Sequence, residues 1–246
     1  MFRKMTLLFS FIILLGIMTP AQEAGNFKNL KVLPKDISKD DLKSIMKGFT
    51  AALGVRCSYC HDGEEGKPLD TYDFASDKKT HKLKARVMIK MTRDINQKYL
   101  SELKEFSDHI DKVECATCHR GANEPKMLDD VMYMTVKRKG VEEAVNTYHK
   151  LYDRYYGGNT YDFRDHTLVS VIHKLNDDKD YDAAIAMGKL NLEMYPNSGV
   201  AHFGMGQAYE AKGDKENALA EYKKALELMP EAGRFLNKKI QDLEAK

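Results

Sequence analysis

Two copies of the pentapeptide Cys-x-x-Cys-His constrain this chain more than any other feature of its sequence. They lie at residues 57–61 (CSYCH) and 115–119 (CATCH). In this pattern two thiols three residues apart can reach the two vinyl groups on one edge of a haem, and the next residue brings its imidazole under the iron. The pattern therefore predicts two covalently bound c-type haems. The predicted attachment residues are Cys57, Cys60, Cys115 and Cys118, and the predicted iron ligands are His61 and His119.

Three other uses of paired cysteines fit the pattern less well. A disulfide framework does not need a histidine directly after each pair. Four-cysteine zinc sites usually space their pairs by about 15 to 20 residues, far less than the spacing in this chain, and would leave both histidines without a role. A thioredoxin-like redox pair belongs to a strand and helix context that the flanking sequence lacks. Two complete motifs in one chain therefore favour haem.

The first 21 residues (1–21) have the pattern of a secretory signal peptide. A basic start at Arg3 and Lys4 precedes a short apolar run, and small or turn residues follow it. The run is shorter than the roughly 20 apolar residues of a membrane-spanning helix, and an uncleaved anchor is the alternative. We expect cleavage near Ala21, and a location in the periplasm or on the outer face of the cytoplasmic membrane.

The charge balance excludes one class of partner. The full chain has 39 basic and 37 acidic side chains. Removal of the leader takes away Arg3 and Lys4 and no acidic residue, which leaves a neutral mature chain. Because nucleic-acid binding requires a basic surface excess, no nucleic-acid partner is expected.

The periodicity of the apolar residues predicts an all-α fold with two domains. Ser38 followed by acidic residues predicts a helix start, and Gly54 is placed to end that helix just before the first motif. A second helix is predicted over residues 80–99, after a surface loop rich in Gly, Asp and Lys. We expect a helical diheme cytochrome c domain over residues 22–126, which Pro125 closes.

The remaining residues, 127–246, show a period of 34 residues that is typical of tetratricopeptide repeats. The stretch GQAYEAKGDKENALAEYKKALELMP (206–230) resembles a standard repeat of that family. Residues 164–197 fit a weaker copy and 127–156 a degenerate pair, while YYGGNTYDF (155–163) breaks the period as a loop. Stacked repeats bury one another's apolar faces and leave a concave surface. We therefore expect a tetratricopeptide-like helical repeat domain that docks a partner.

An iron that only passes electrons needs a sixth ligand, which is usually Met or His. Met46, Met88 and Met91 all lie on predicted helices upstream of the motifs. A methionine on an apolar helix face more often fills a core than binds a metal. The residues by themselves leave the choice among these three open.

Residues 38–125 resemble the cytochrome subunit of bacterial photosynthetic reaction centres. That family repeats a unit made of a helix with a ligand Met, a turn and then C-x-x-C-H. The unit is similar to IMKGFTAALGVRCSYCH (45–61) and to ARVMIKMTRDINQKY (85–99) followed by CATCHRG (115–121). The second match is the more specific of the two.

Carried over by position, the resemblance implies that Met46 is the distal ligand of the first haem and Met88 that of the second, with Met91 as packing. The family's subunit has four haems in two pairs. This chain has one pair, so it resembles one half of that subunit fused to helical repeats. His109 lies near the second motif but out of register with a histidine ligand of the family, and we expect it at the surface.

Two haems that are both closed by methionine pass electrons and do not readily bind peroxide or oxygen. The leading prediction is an exported diheme electron carrier, not an enzyme, which serves redox protein partners such as a membrane-bound complex docked through the repeats. Two alternatives stay open: a diheme peroxidase with one open iron site, and an assembly scaffold in which haem is structural. The sequence also leaves open whether two chains pair as a homo-oligomer.

Overall fold

The computed structural model describes residues 25–245, and within that stretch the fold is all-α, as predicted. The predicted leader lies outside the described residues. No helix of the described stretch combines the length and apolar content needed to cross a membrane. The helices are α1 (Lys39–Leu53), α2 (Cys57–Cys60), α3 (Thr80–Asp94), α4 (Cys115–His119), α5 (Leu128–Lys139), α6 (Val141–Tyr155), α7 (Asp165–Asp177), α8 (Tyr181–Met194), α9 (Gly199–Ala211), α10 (Lys215–Leu228) and α11 (Gly233–Glu244).

Short irregular turns complete the secondary structure. A π-helical turn at Ile95–Tyr99 continues α3 to the end of the helix predicted from the sequence, and a turn of 3-10 helix (Leu100–Glu105) follows it. Two further 3-10 turns lie at Leu69–Thr71, inside the predicted surface loop, and at Pro230–Ala232, after α10.

Both predicted ends of α1 are confirmed. The Ser38 hydroxyl accepts a hydrogen bond of 3.0 Å from the backbone N–H of Asp41, which satisfies a free donor of the first turn. At the other end Gly54 has φ +64, a left-handed conformation that favours glycine. A Cβ at Gly54 would lie 2.0 Å from the carbonyl oxygen of Gly121. Only glycine therefore fits at position 54, directly after α1.

Backbone packing divides the chain into two compact units. The first unit comprises the described residues up to Thr50 together with Arg56–Ile110, and it contains the first Cys-x-x-Cys-His motif. The second unit comprises Ala51–Val55 together with Asp111 and the residues after it. The second motif thus packs in one unit with the helical repeats. The predicted domain boundary at residue 126 stays a prediction.

The second unit has an extensive apolar core built by α5 to α11. Small residues at repeat positions let the helices approach closely: a Cβ at Gly206 of α9 would lie 2.7 Å from the ring of Tyr222 in α10. The predicted helical pairs correspond to α5 with α6, α7 with α8, and α9 with α10, and α11 covers the end of the last pair. The largest fully buried side chains of this core include Tyr148, Tyr222, Leu128, Met132, Leu168, Ile172, Leu175, Met187 and Leu236.

Candidate functional site

The first motif forms a single helical turn. Cys57 and Cys60 stand at the two ends of α2, and the backbone N–H of His61 donates to the Cys57 carbonyl at 2.9 Å. Both sulfur atoms belong to free thiols, which attachment to a vinyl group requires. Burial, and next the neighbouring Cys57, raise the pKa of the Cys60 thiol. One helical turn therefore presents two free thiols and, directly after them, an imidazole.

The imidazole of His61 is held in an apolar setting. Its ring meets the ring of Phe74 edge-on, with 4.9 Å between the centroids. Its Nδ1 atom is buried and makes no hydrogen bond among the described residues. Burial first, and then the positive charge of Lys82, lower the pKa of His61. The ring is therefore kept neutral, which is the protonation state that binds a metal.

Lys82 of α3 organises the loop that carries Phe74. Its side chain is buried, and its Nζ donates to the backbone carbonyls of residues 74–76 at 3.0, 3.2 and 2.7 Å. The Asp77 carboxylate completes the set at 3.2 Å from Nζ and also accepts from Arg86 at 2.9 Å. Hydrogen bonding from Arg86, and next from Lys82, holds the pKa of Asp77 well below its usual range. The loop beside His61 is therefore fixed by a buried cation on α3.

The second motif is a helical turn that begins with a local cap. The backbone N–H of Glu114 donates to the hydroxyl of Thr117 at 2.9 Å, which fixes the entry into α4. Cys115 is half-buried and Cys118 is exposed, and both are free thiols. Burial raises the pKa of the Cys115 thiol. The two thiols stand three residues apart on one turn, as in the first motif.

His119 is oriented by a backbone carbonyl. Its Nδ1 lies 2.9 Å from the carbonyl oxygen of Ala122, which can only accept, so Nδ1 is the donor and Nε2 is the ring nitrogen left for a metal. Arg120 and Gly121 have left-handed φ values of +47 and +89, and this tight turn brings Ala122 back beneath the ring. A metal-binding histidine usually donates its second N–H to such a carbonyl. His119 therefore has the arrangement of an iron ligand.

The surroundings of the motifs also suit a large, flat, apolar group. In the first unit no apolar side chain of a described residue is fully buried. Instead, α3 leaves a row of apolar side chains exposed, and Met46 on α1 is half-buried. The exposed residues of α3 are Leu83, Val87, Met88 and Met91. Free thiols, adjacent imidazoles and uncovered apolar side chains together fit a covalently attached haem.

A bare metal ion fits the same residues poorly. Within residues 25–245 no three side chains of His, Cys, Asp or Glu come together as a candidate ion site. A structural zinc site needs four closely placed ligands. A pair of thiols followed by one histidine fits a porphyrin-bound iron better, because such an iron takes only its axial ligands from the chain.

Sequence reasoning missed two groups that shape these sites, Lys82 and the carbonyl of Ala122. A lysine on a charged helix gives no signal that distinguishes it from a solvated one, and a backbone carbonyl gives none at all. The structure leaves Met88 and Met91 equally open to solvent, with exposed fractions of 39% and 44%, so exposure does not choose between them. His109 is exposed, as predicted.

A helical chain with two turns that each present a pair of free thiols followed by a histidine has the layout of a c-type cytochrome. The chain belongs to the photosynthetic reaction centre cytochrome C subunit family, whose model matches residues 18–152. This membership confirms the resemblance seen in the sequence and implies covalently bound haem c. A tetratricopeptide repeat model matches residues 199–232, which confirms the repeat predicted over the stretch 206–230.

The similar proteins are all cytochromes by name. Cytochrome c-554 of Chloroflexus aurantiacus is 33% identical over 101 residues, which cover 41% of this chain and 22% of that protein. The photosynthetic reaction center cytochrome c subunit of Rubrivivax gelatinosus is 34% identical over 107 residues, covering 38% and 28%. The subunit of the same name from Roseobacter denitrificans is 34% identical over 104 residues, covering 42% and 26%. The chain thus spans less than a third of the length of each of these relatives.

Proposed function

We propose that this protein is an exported diheme electron carrier. One haem would be attached through Cys57 and Cys60 with His61 as proximal ligand. The other would be attached through the second motif, residues 115–119, with His119 as proximal ligand. The observation that carries this proposal is the hydrogen bond from Nδ1 of His119 to Ala122, because it leaves Nε2 free to bind iron.

Each part of the two motifs has a defined task in this proposal. The thiols would attach the macrocycle covalently through its vinyl groups. The imidazoles would hold the iron, and Ala122 and Phe74 keep the two rings in place. When bound, each haem supplies a one-electron iron(III)/iron(II) couple. The chain itself supplies attachment, orientation and an apolar environment.

We further propose Met46 and Met88 as the distal ligands. Met46 lies on the half-buried apolar side of α1, and Met88 lies in the exposed apolar row of α3. A thioether is a soft ligand that favours the reduced iron and raises the potential. Closure of both irons by methionine would suit transfer of electrons and disfavour peroxide chemistry.

The partner that we propose is a membrane-bound redox complex, docked through the helical repeats. Two of the similar proteins are named as reaction center subunits, and the apolar leader pattern of residues 1–21 supports export. Stacked repeats commonly offer a continuous binding surface. On the last helix of the second unit, Phe235 is 54% exposed and is a candidate contact.

Attachment is tested with the full chain expressed alongside a c-type maturation system. Intact mass and a pyridine haemochrome spectrum should both report two covalent haems per chain. The double variants Cys57→Ala/Cys60→Ala and Cys115→Ala/Cys118→Ala should each retain one haem. Any other stoichiometry in the unaltered protein would overturn the proposal.

Docking is tested by the rate at which membranes of the producing organism reduce or oxidise the haems. Deletion of residues 127–246 is a poor test, because the second motif packs in one unit with the repeats. Phe235→Lys should slow the reaction without changing either haem spectrum. Leu69→Lys alters an equally exposed residue of the first unit (52% exposed) and serves as the comparison. A slower rate with Leu69→Lys alone would contradict docking through the repeats.

A further inference from the structure

The loop that interrupts the repeats touches the turn after the second motif. Thr160 lies in this loop (residues 155–163), is buried, and donates from Oγ1 to the carbonyl oxygen of Arg120 at 2.5 Å. A Cβ added to Gly121 would lie 3.3 Å from the same hydroxyl oxygen. The one segment that departs from the repeat pattern therefore meets the residues directly after His119.

The turn after His119 is anchored on two sides. On one side Thr160 holds the Arg120 carbonyl. On the other side the backbone N–H of Gly121 donates to the Ala52 carbonyl at 2.9 Å. Between these anchors, Arg120 and Gly121 adopt left-handed conformations. Left-handed backbone costs energy for a residue with a side chain, so a turn of this kind persists only where its surroundings hold it.

The turn matters because it presents the carbonyl that orients the histidine. Ala122 accepts from Nδ1 of His119 at 2.9 Å, and its own N–H donates to the His119 carbonyl at 2.9 Å. Movement of the peptide between Arg120 and Gly121 would carry the Ala122 carbonyl with it. A hydrogen bond made by Thr160 is thus transmitted, through one short turn, to the imidazole.

We propose that Thr160 is a positioning residue for His119, through which the repeat region tunes the second haem. This inference rests on the proposed attachment of a haem at residues 115–119. A hydrogen bond at Nδ1 raises the basicity of a ligating imidazole and so favours the ferric iron. Loss of the Thr160 contact weakens that bond, and the potential of the second haem rises.

The chain offers a matched control in Thr167. Its hydroxyl also donates to a backbone carbonyl, that of Asp162, at 2.9 Å. The exposed fractions of the two threonines are similar, 8% for Thr160 and 6% for Thr167, and both lie in the second unit. Asp162 lies in the same loop as Thr160. Thr167→Val therefore removes a buried hydrogen bond to that loop but leaves the contact with Arg120 in place, and it separates this contact from a general effect on the loop.

The test is a redox titration of Thr160→Val, Thr160→Ser and Thr167→Val in the full diheme protein. Thr160→Val should shift the reduction equilibrium of the second haem toward the reduced form by about three- to tenfold; tenfold corresponds to about 59 mV for one electron. Thr160→Ser keeps the donor and should restore the original value. Thr167→Val should leave it unchanged. The first haem, identified by its loss in Cys57→Ala/Cys60→Ala, should not shift in any variant.

A second readout uses the apoprotein. Nitrogen-15 spectra of the His119 ring should show the Nδ1–H tautomer in the unaltered chain and a mixture of tautomers in Thr160→Val. Thr160→Ala replaces Thr160→Val if the latter does not fold. Equal shifts in the Thr160 and Thr167 variants, or no shift in either, would overturn the proposal. Failure of the attachment proposal is a separate result, because the unaltered protein would then lack the second haem signal.

Discussion

The contact between Gly54 and Gly121 gives the sharpest prediction about stability. In Gly54→Ala the new residue must adopt φ +64, which costs about 1–2 kcal/mol for a residue with a Cβ. The Cβ would also stand 2.0 Å from the Gly121 carbonyl oxygen, and relief of such a backbone overlap costs roughly 1–3 kcal/mol more. We therefore expect the free energy of unfolding to fall by about 2–5 kcal/mol.

The control for this prediction is Gly213→Ala. Gly213 follows α9 with φ +78, lies in the same compact unit as Gly54, and has nothing within 4 Å of an added Cβ. Gly213→Ala should therefore lower the free energy of unfolding only by the cost of the left-handed conformation, about 1–2 kcal/mol. Urea unfolding followed by circular dichroism measures both variants. Equal losses would refute the reasoning, because the overlap with Gly121 would then cost nothing.

Three further predictions concern the first unit and the distal ligands. Lys82→Met should lower the free energy of unfolding by about 1–3 kcal/mol, since the part-buried carbonyls of residues 74–76 lose their shared donor; unchanged urea unfolding would contradict this. The pKa of Asp77 is lowered from 3.8 in the folded chain, so its stabilising effect is complete above pH 3.8 and is lost as the pH falls further. Unfolding midpoints measured from pH 6 to pH 3 should therefore decline more steeply in the unaltered protein than in Asp77→Asn, and parallel curves would count against it. Met46→Ala and Met88→Ala should each abolish the ferric absorption band of one Met-ligated haem, whereas Met91→Ala should retain both; loss of a band in Met91→Ala would reassign the second distal ligand.

The organisation of the second unit alters how the repeats are understood. A repeat region that only docks a partner could be removed without effect on the haems. Here the second motif packs in the same unit as the repeats, and Thr160 contacts the turn after His119. Binding at the repeats and the properties of the second haem are therefore expected to be coupled. The redox titration of the Thr160 variants measures how the loop within the repeat region affects the reduction potential of the second haem.

Much of the fold and of the site follows from local sequence. The Cys-x-x-Cys-His motifs are contiguous, so one helical turn is enough to place two thiols and an imidazole together. Ser38 and Gly54 mark the ends of α1 through interactions with their immediate neighbours, and both ends are where the pattern put them. The repeats pack through helices that are neighbours in sequence, so the 34-residue period was enough to predict the helical pairs.

Only the tertiary structure decided which groups support the histidines. Lys82 reaches carbonyls of a loop six to eight residues away, and Thr160 reaches Arg120 from 40 residues along the chain. Such contacts depend on which distant backbone segments the fold brings together, and a local sequence pattern does not predict this. The sequence by itself predicted haem attachment at residues 57–61 and 115–119, because each motif is contiguous. The folded chain decided how each imidazole is held, because hydrogen bonds to backbone carbonyls are set by position and not by side-chain identity.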